Sequence, residues 1–224
     1  MIDFYFAPTP NGLKLRLFLE EAQLPYRAER VHLSKGEQFR PEFLAISPNN
    51  KIPAIVDHEP RDGGAPIAMF ESGAIMLYLA EKIGRLIPAD VRGRAEVLQW
   101  LFWQVSGLGP MGGQIEHFNL YATEQVPYAI ERYTRETRRL FGVLDRRLLG
   151  REFIAGEFSI ADIACYPWIV PHAVLGQKLE EFPDLARWFE TIRARPATIR
   201  TYAGVDDGHA HPAPAAASSA RHAS

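Results

Sequence analysis

Cysteine is nearly absent from this chain of 224 residues: Cys165 is the only one. A lone thiol cannot close an intramolecular disulfide, and it cannot supply the Cys-x-x-Cys pair through which a protein dithiol shuttles electrons. Such sparse use of cysteine points to a cytoplasmic location. An excess of charge of either sign is also missing. Lys and Arg number 25 against 27 Asp and Glu, a net of −2, so no electrostatic field recruits nucleic acid or an anionic membrane surface. No apolar run reaches the length needed to span a bilayer. The opening Met1-Ile2-Asp3-Phe4-Tyr5 lacks a basic leader segment and a cleavage site, and reads as a strand. The length suits one large domain or two modest ones.

The first eighty-odd residues alternate between the two periodicities. Ile2 to Phe6 reads as a strand, and Asn11 to Gln23 as a helix with apolar Leu15, Leu17, Phe18, Leu19 and Ala22. A second strand is expected over Arg27 to Leu33 and a short helix near Pro41 to Ile46. Ala54 to Asp57 and Pro66 to Phe70 flank the turn Pro60-Arg61-Asp62-Gly63-Gly64 and form an antiparallel hairpin. A helix from Glu71 to Ile83 closes the unit. The order βαβαββα is that of an α/β thioredoxin-like domain, here residues 1–84.

Strand signals stop near Asp90, and an all-α helical bundle is expected over residues 90–203. Ile130, Tyr133, Thr137, Leu140, Phe141, Leu144 and Leu148 share one helical face. Further helices cover Ala95 to Val105, Ser159 to Ala173 and Pro183 to Arg195. Ser159-Ile160-Ala161-Asp162 has capping-box spacing with Asp for the usual Glu, a structural role. Gly107-Leu108-Gly109-Pro110-Met111-Gly112-Gly113 places four glycines and a proline in seven residues, which predicts a break in the helix begun near Ala95. Residues 204–224 are rich in Ala, Pro, Ser, Gly and His and read as a disordered tail, with His209, His211 and His222 solvated and no metal site expected.

Chemistry concentrates in two stretches. In Ser47-Pro48-Asn49-Asn50-Lys51-Ile52-Pro53-Ala54-Ile55-Val56-Asp57, Pro53 precedes a short strand, and Ile52 is pushed to extended geometry. Its N–H and C=O then form a donor–acceptor pair for another extended backbone; an ordinary strand edge is the simpler alternative. Glu71-Ser72 opens a helix whose free amides and dipole suit an anion, and the Glu71 carboxylate beside it suits an ammonium. Together they fit a small peptide with an α-amino acid head group. A bare N-cap at Ser72 is the alternative.

The second stretch is Ala7-Pro8-Thr9-Pro10-Asn11-Gly12, where the first strand meets the first helix. Thr9 as N-cap with Pro10 following makes an ordinary helix start. With a peptide site nearby, the same cap also offers donors to a bound thiol: the Thr9 hydroxyl, the Asn11 amide and free backbone N–H groups would stabilise a thiolate.

These segments, with Leu98-Gln99-Trp100-Leu101-Phe102-Trp103-Gln104 and Pro127-Tyr128-Ala129-Ile130-Glu131-Arg132-Tyr133, closely resemble the bacterial nu-class glutathione transferases, from Met1 to about Pro196. The resemblance implies glutathione-dependent reduction of small disulfides, with glutathione as co-substrate and no protein cysteine taking part. It implies Thr9 and Asn11 at the glutathione sulfur, and Gln38, Ile52, Pro53, Glu71 and Ser72 along its backbone and carboxylates. Arg132 would meet a second glutathione. It further implies a cis Ile52-Pro53 bond and a homodimer to which Phe70 and the Trp100/Trp103 helix contribute. Tyr5 lies slightly early for the tyrosine-type thiol-activating position. His117 and Asn119 are candidates for the open end of the cleft. The rival readings are a transferase or peroxidase using the same thiolate on another electrophile, and a non-enzymatic partner-binding module of the same fold.

Overall fold

The computed structural model describes residues 1–205; the expected tail therefore falls outside the described residues from 206 onward, including His209, His211 and His222. Strands β1 (Ile2–Phe6), β2 (Tyr26–Arg30), β3 (Ala54–Asp57) and β4 (Ile67–Phe70) form one sheet in the order β2-β1-β3-β4. β1 and β2 run parallel, joined by α1 (Pro10–Ala22). β3 is antiparallel to both β1 and β4, as the hairpin reading expects. β2 ends at Arg30, short of the expected Leu33, which instead starts a 3₁₀ turn. α2 (Pro41–Leu44) leads toward β3, and α3 (Ser72–Ile83) follows β4.

α1 ties the two halves together. Leu15, Leu17, Phe18 and Leu19 are all fully buried, because α3, α7 (Ile160–Ile169) and α9 (Pro196–Tyr202) all pack against the helix. Each such side chain contributes about 1.5–3 kcal/mol of burial. At the far end Arg195 grips Glu21 with two hydrogen bonds, 2.6 and 3.0 Å, and Arg200 reaches Glu20 at 2.7 Å. α9 was not legible as a separate helix, and Val205 packs against the core, so the ordered chain passes the expected boundary at 203.

The remaining helices are α4 (Val91–Trp103), α5 (Gly109–Glu116), α6 (Pro127–Leu148) and α8 (Pro183–Arg193). α6 buries Thr137, Leu140, Phe141, Leu144 and Leu148, the stripe expected from sequence. The predicted break at residues 107–113 does not occur. From α4 the chain continues through a π-helical turn, Gln104–Leu108, directly into α5, and Leu108 and Gly109 keep right-handed helical angles. A second π turn, His117–Tyr121, ends the run. Two effects outweigh the poor helix propensity. The wide turn lies just ahead of Pro110, whose missing N–H disrupts the ordinary ladder. The glycines also let Trp168 of α7 approach the backbone: a Cβ on Gly112 would lie 2.9 Å from its ring.

Candidate functional site

The β1–α1 junction is built on a close backbone approach. A Cβ at Gly12 would fall 2.1 Å from the Ala7 carbonyl oxygen, so only glycine fits. The Gly12 N–H donates to Thr9 Oγ1 at 3.4 Å, capping α1. Because that hydroxyl oxygen accepts from the helix, its own proton is left to donate outward.

Thr9, Asn11, Gln38 and Ile52 line one cavity of about 390 Å³. A smaller compartment of about 150 Å³ is walled by Asn11, Ile52, Pro53, Glu71 and Ser72. The two share Asn11, Lys51 and Ile52, so seven of the eight residues expected at the site border one continuous cleft. The Ile52-Pro53 bond is cis, as the resemblance implies. Gln38 presents a buried Oε1 with no hydrogen-bond partner in the described chain. Arg132 stands apart: it lines a different cavity of about 310 Å³ with Met111, Tyr133 and Glu136, and shares no wall with the cleft.

At the narrow end, Ser72 is the first residue of α3, and Glu71 before it holds φ of 72°, in the left-handed region. The first-turn amides of α3 give that compartment a positive pole. Behind Ser72 lies Lys14, fully buried, whose Nζ donates to Ser72 Oγ at 3.5 Å. In its ammonium form Lys14 has no lone pair and can only donate, so Ser72 accepts from it and keeps its hydroxyl proton for a ligand. Burial pushes the Lys14 pKa down to about 7, while Cys165 and Glu71 act in the opposite direction.

Asn11 faces both compartments, and its side-chain oxygen accepts from Trp168 Nε1 at 3.1 Å. Thr9, Asn11 and Ser72 thus share one logic: a protein donor fills the acceptor of each, leaving a donor for the cleft. A thiolate and carboxylates are the ligands such a surface suits. No cysteine borders either compartment, since Cys165 is fully buried in α7 and burial raises its thiol pKa well above the ordinary value. Tyr5 is turned away. Its ring packs edge-on against Phe43, 6.2 Å between centroids, and lines another cavity.

The helical wall of the cleft differs from expectation. It is made by Glu116, Tyr121 and Trp168 and not by His117 and Asn119. The Asn119 amide donates to the Val174 carbonyl at 2.8 Å instead. Glu116 and Tyr121 escaped the sequence reading because they lie on the helical run that the glycines were expected to stop. Trp168 escaped because it sits in a continuous apolar segment, where a core role is the default. Among the described residues no cluster of three or more His, Cys, Asp or Glu could hold a metal ion, and no helix is long and apolar enough to cross a membrane.

Comparison with known proteins identifies the family. Residues 9–82 match the glutathione S-transferase N-terminal domain and residues 114–196 the C-terminal domain. The chain is 61% identical over 199 residues to the disulfide-bond oxidoreductase YfcG of Escherichia coli, covering 88% of this chain and 93% of that one. A glutathione transferase family member from Pseudomonas fluorescens, solved with two glutathione bound, superposes with a TM-score of 0.84 at 46% identity, over 89% of this chain and 91% of that one. One from Pseudomonas putida, solved with one glutathione disulfide per subunit, gives 0.84 at 41% identity, over 89% and 90%. With both domains matched and the cleft formed between them, this chain belongs to the glutathione S-transferase family.

Proposed function

We propose that this protein is an enzyme that reduces small disulfides with glutathione, the reacting sulfur belonging to the ligand. The observation that carries the reading is the pairing at the cleft's centre: outward donors at Thr9 and Asn11, with no protein cysteine on its walls. Glutathione lies with its backbone along Ile52 and Gln38 and its γ-glutamyl end at Glu71 and Ser72, which places the sulfur near Asn11. The donors hold it as thiolate, below the free value of about 8.5.

The thiolate attacks one sulfur of the substrate disulfide, forming a mixed disulfide with glutathione and releasing the other half as a thiolate that takes up a proton. A second glutathione attacks the mixed disulfide at the glutathione sulfur, giving glutathione disulfide and the second free thiol. Two glutathiones and one disulfide become one glutathione disulfide and two thiols, so electrons balance without a protein dithiol. The resemblance assigns Arg132 to the second glutathione, although it lines a separate cavity that shares no wall with the cleft. The names of the relatives, a disulfide-bond oxidoreductase and transferases holding two glutathiones or their disulfide, support the same chemistry.

The working form is a cytoplasmic homodimer. Exposed Phe70, and Phe102 at 61% exposure beside the apolar groove of Gly73, Ala74, Leu77, Leu101 and Val105, offer a face that a second copy would cover. Trp100 and Trp103 contribute less, being half-buried, with Arg147 lying over the Trp100 ring at 5.4 Å. Steady-state kinetics test the activity. A hydroxyethyl disulfide should turn over with higher kcat/KM than a chloronitroarene; the reverse order would assign a conjugating transferase.

A further inference from the structure

We propose that Trp168 is a positioning residue that sets the polarity of Asn11, so that the amide nitrogen and not the oxygen faces the ligand sulfur. This rests on the assignment of the cleft to glutathione. The two ends of an asparagine amide have opposite character: Nδ2 stabilises a thiolate and Oδ1 repels it. Nothing about α1 itself chooses between them. The choice is made from α7, where the Trp168 indole lies 3.1 Å from the Asn11 amide. An indole N–H donates and cannot accept, so the end facing it is the carbonyl oxygen. Nδ2 is then the end left for the cleft.

The indole is itself fixed. Trp168 is 5% exposed and lies against the backbone of α5. A Cβ at Gly112 would come within 2.9 Å of its ring, one at Gly109 within 3.2 Å of Nε1, and one at Gly113 within 3.4 Å of the ring's far edge. The glycine-rich stretch that looked like a helix breaker is therefore the seat of the tryptophan. Its small residues keep a helix while admitting a ring at backbone distance. The line of action runs from these glycines to Trp168, to Asn11, to the sulfur.

The test is the pKa of bound glutathione, read from thiolate absorbance, in a double-mutant cycle of Trp168→Phe and Asn11→Ala. Phenylalanine keeps a flat apolar ring in a smaller volume and removes the donor, and the loss of packing is controlled by the Asn11→Ala background, where it is equally present. Alone, Trp168→Phe should raise the bound thiol's pKa by roughly 0.5–1 unit, the scale of one neutral hydrogen bond. In the Asn11→Ala background it should raise it no further, because Trp168 acts through Asn11. Affinity for S-methylglutathione, which has no thiolate, should stay within about twofold. An equal rise in both backgrounds, no rise in either, or a parallel loss of S-methylglutathione affinity would overturn the inference. A second measurement leaves Trp168 in place. Among the four indole N–H resonances of isotope-labelled protein, one should move in Asn11→Ala, and an unmoved set also overturns it. Failure of the unmodified protein to bind glutathione would instead overturn the assignment of the cleft.

Discussion

Two polar clusters at opposite ends of α7 are built on opposite principles. At its start, the Asp162 carboxylate is fully buried and receives the Ile154 N–H at 2.9 Å, the Ser159 N–H at 3.0 Å, the Ser159 hydroxyl at 3.3 Å and the Trp188 indole at 2.9 Å. Every acceptor and donor meets its complement inside the protein. At its end, Trp168 fills only the acceptor of Asn11, and the donor is left open to a cleft. Thr9 and Ser72 repeat that half-filled arrangement. A closed cluster fixes the fold. A cluster completed on one sign alone marks where a ligand of the other sign belongs.

The sharpest way to break the contrast is Asp162→Ala. It orphans four buried donors at about 1–3 kcal/mol each, and because these losses overlap we expect about 3–5 kcal/mol of lost stability in urea unfolding. Bound-thiol pKa in the surviving folded fraction should not change, since the closed cluster has no part in the cleft.

Lys14→Met should act in the opposite direction. It replaces a buried ammonium by an apolar chain of similar size, and stability near neutral pH should rise by about 1–4 kcal/mol. Glutathione affinity should fall, because Ser72 loses the donor that orients its hydroxyl. The pH dependence gives the sign. With the folded pKa near 7 and the ordinary value at 10.5, the unfolded chain binds the extra proton between those limits. In the present protein this group therefore makes stability rise as pH climbs from about 7 toward the lysine range, and adds a constant burial cost with no pH dependence below it. That rise should vanish in Lys14→Met.

Cys165→Ala carries the smallest expected effect. The thiol behaves as a small apolar side chain in α7, so stability should drop by about 1 kcal/mol and disulfide turnover should remain within about twofold. Loss of turnover in a folded variant, checked by circular dichroism, would mean that a protein thiol takes part.

How much of this was legible depends on whether a signal was local. The sheet, α1, α3 and the α6 stripe follow from alternation and helical spacing, and the cap at Thr9 and the box at Ser159 follow from residue type and position. Pro53 and Glu71-Ser72 marked the narrow end of the cleft because each shapes its own backbone. The orientation of Asn11 was not legible, since its partner stands 157 positions away in sequence. Neither was the continuity of α4 into α5: propensity argued for a break at Gly107–Gly113, and packing against Trp168 decided otherwise. Arg132 came from resemblance alone, and the chain folds it into a separate cavity and not into the cleft.

If Thr9 and Asn11 acidify a sulfur supplied by the ligand, titration of bound glutathione reads that effect without an intermediate step. Thiolate absorbance against pH in the unmodified protein should give a pKa below the free value of about 8.5. In Asn11→Asp, where a donor becomes a repelling charge, the pKa should rise by roughly one to two units, with Thr9→Ala giving an equal or smaller rise. A bound thiol that titrates like free glutathione, or an Asn11→Asp curve that overlays the unmodified one, would contradict the account and move the reacting sulfur away from the start of α1.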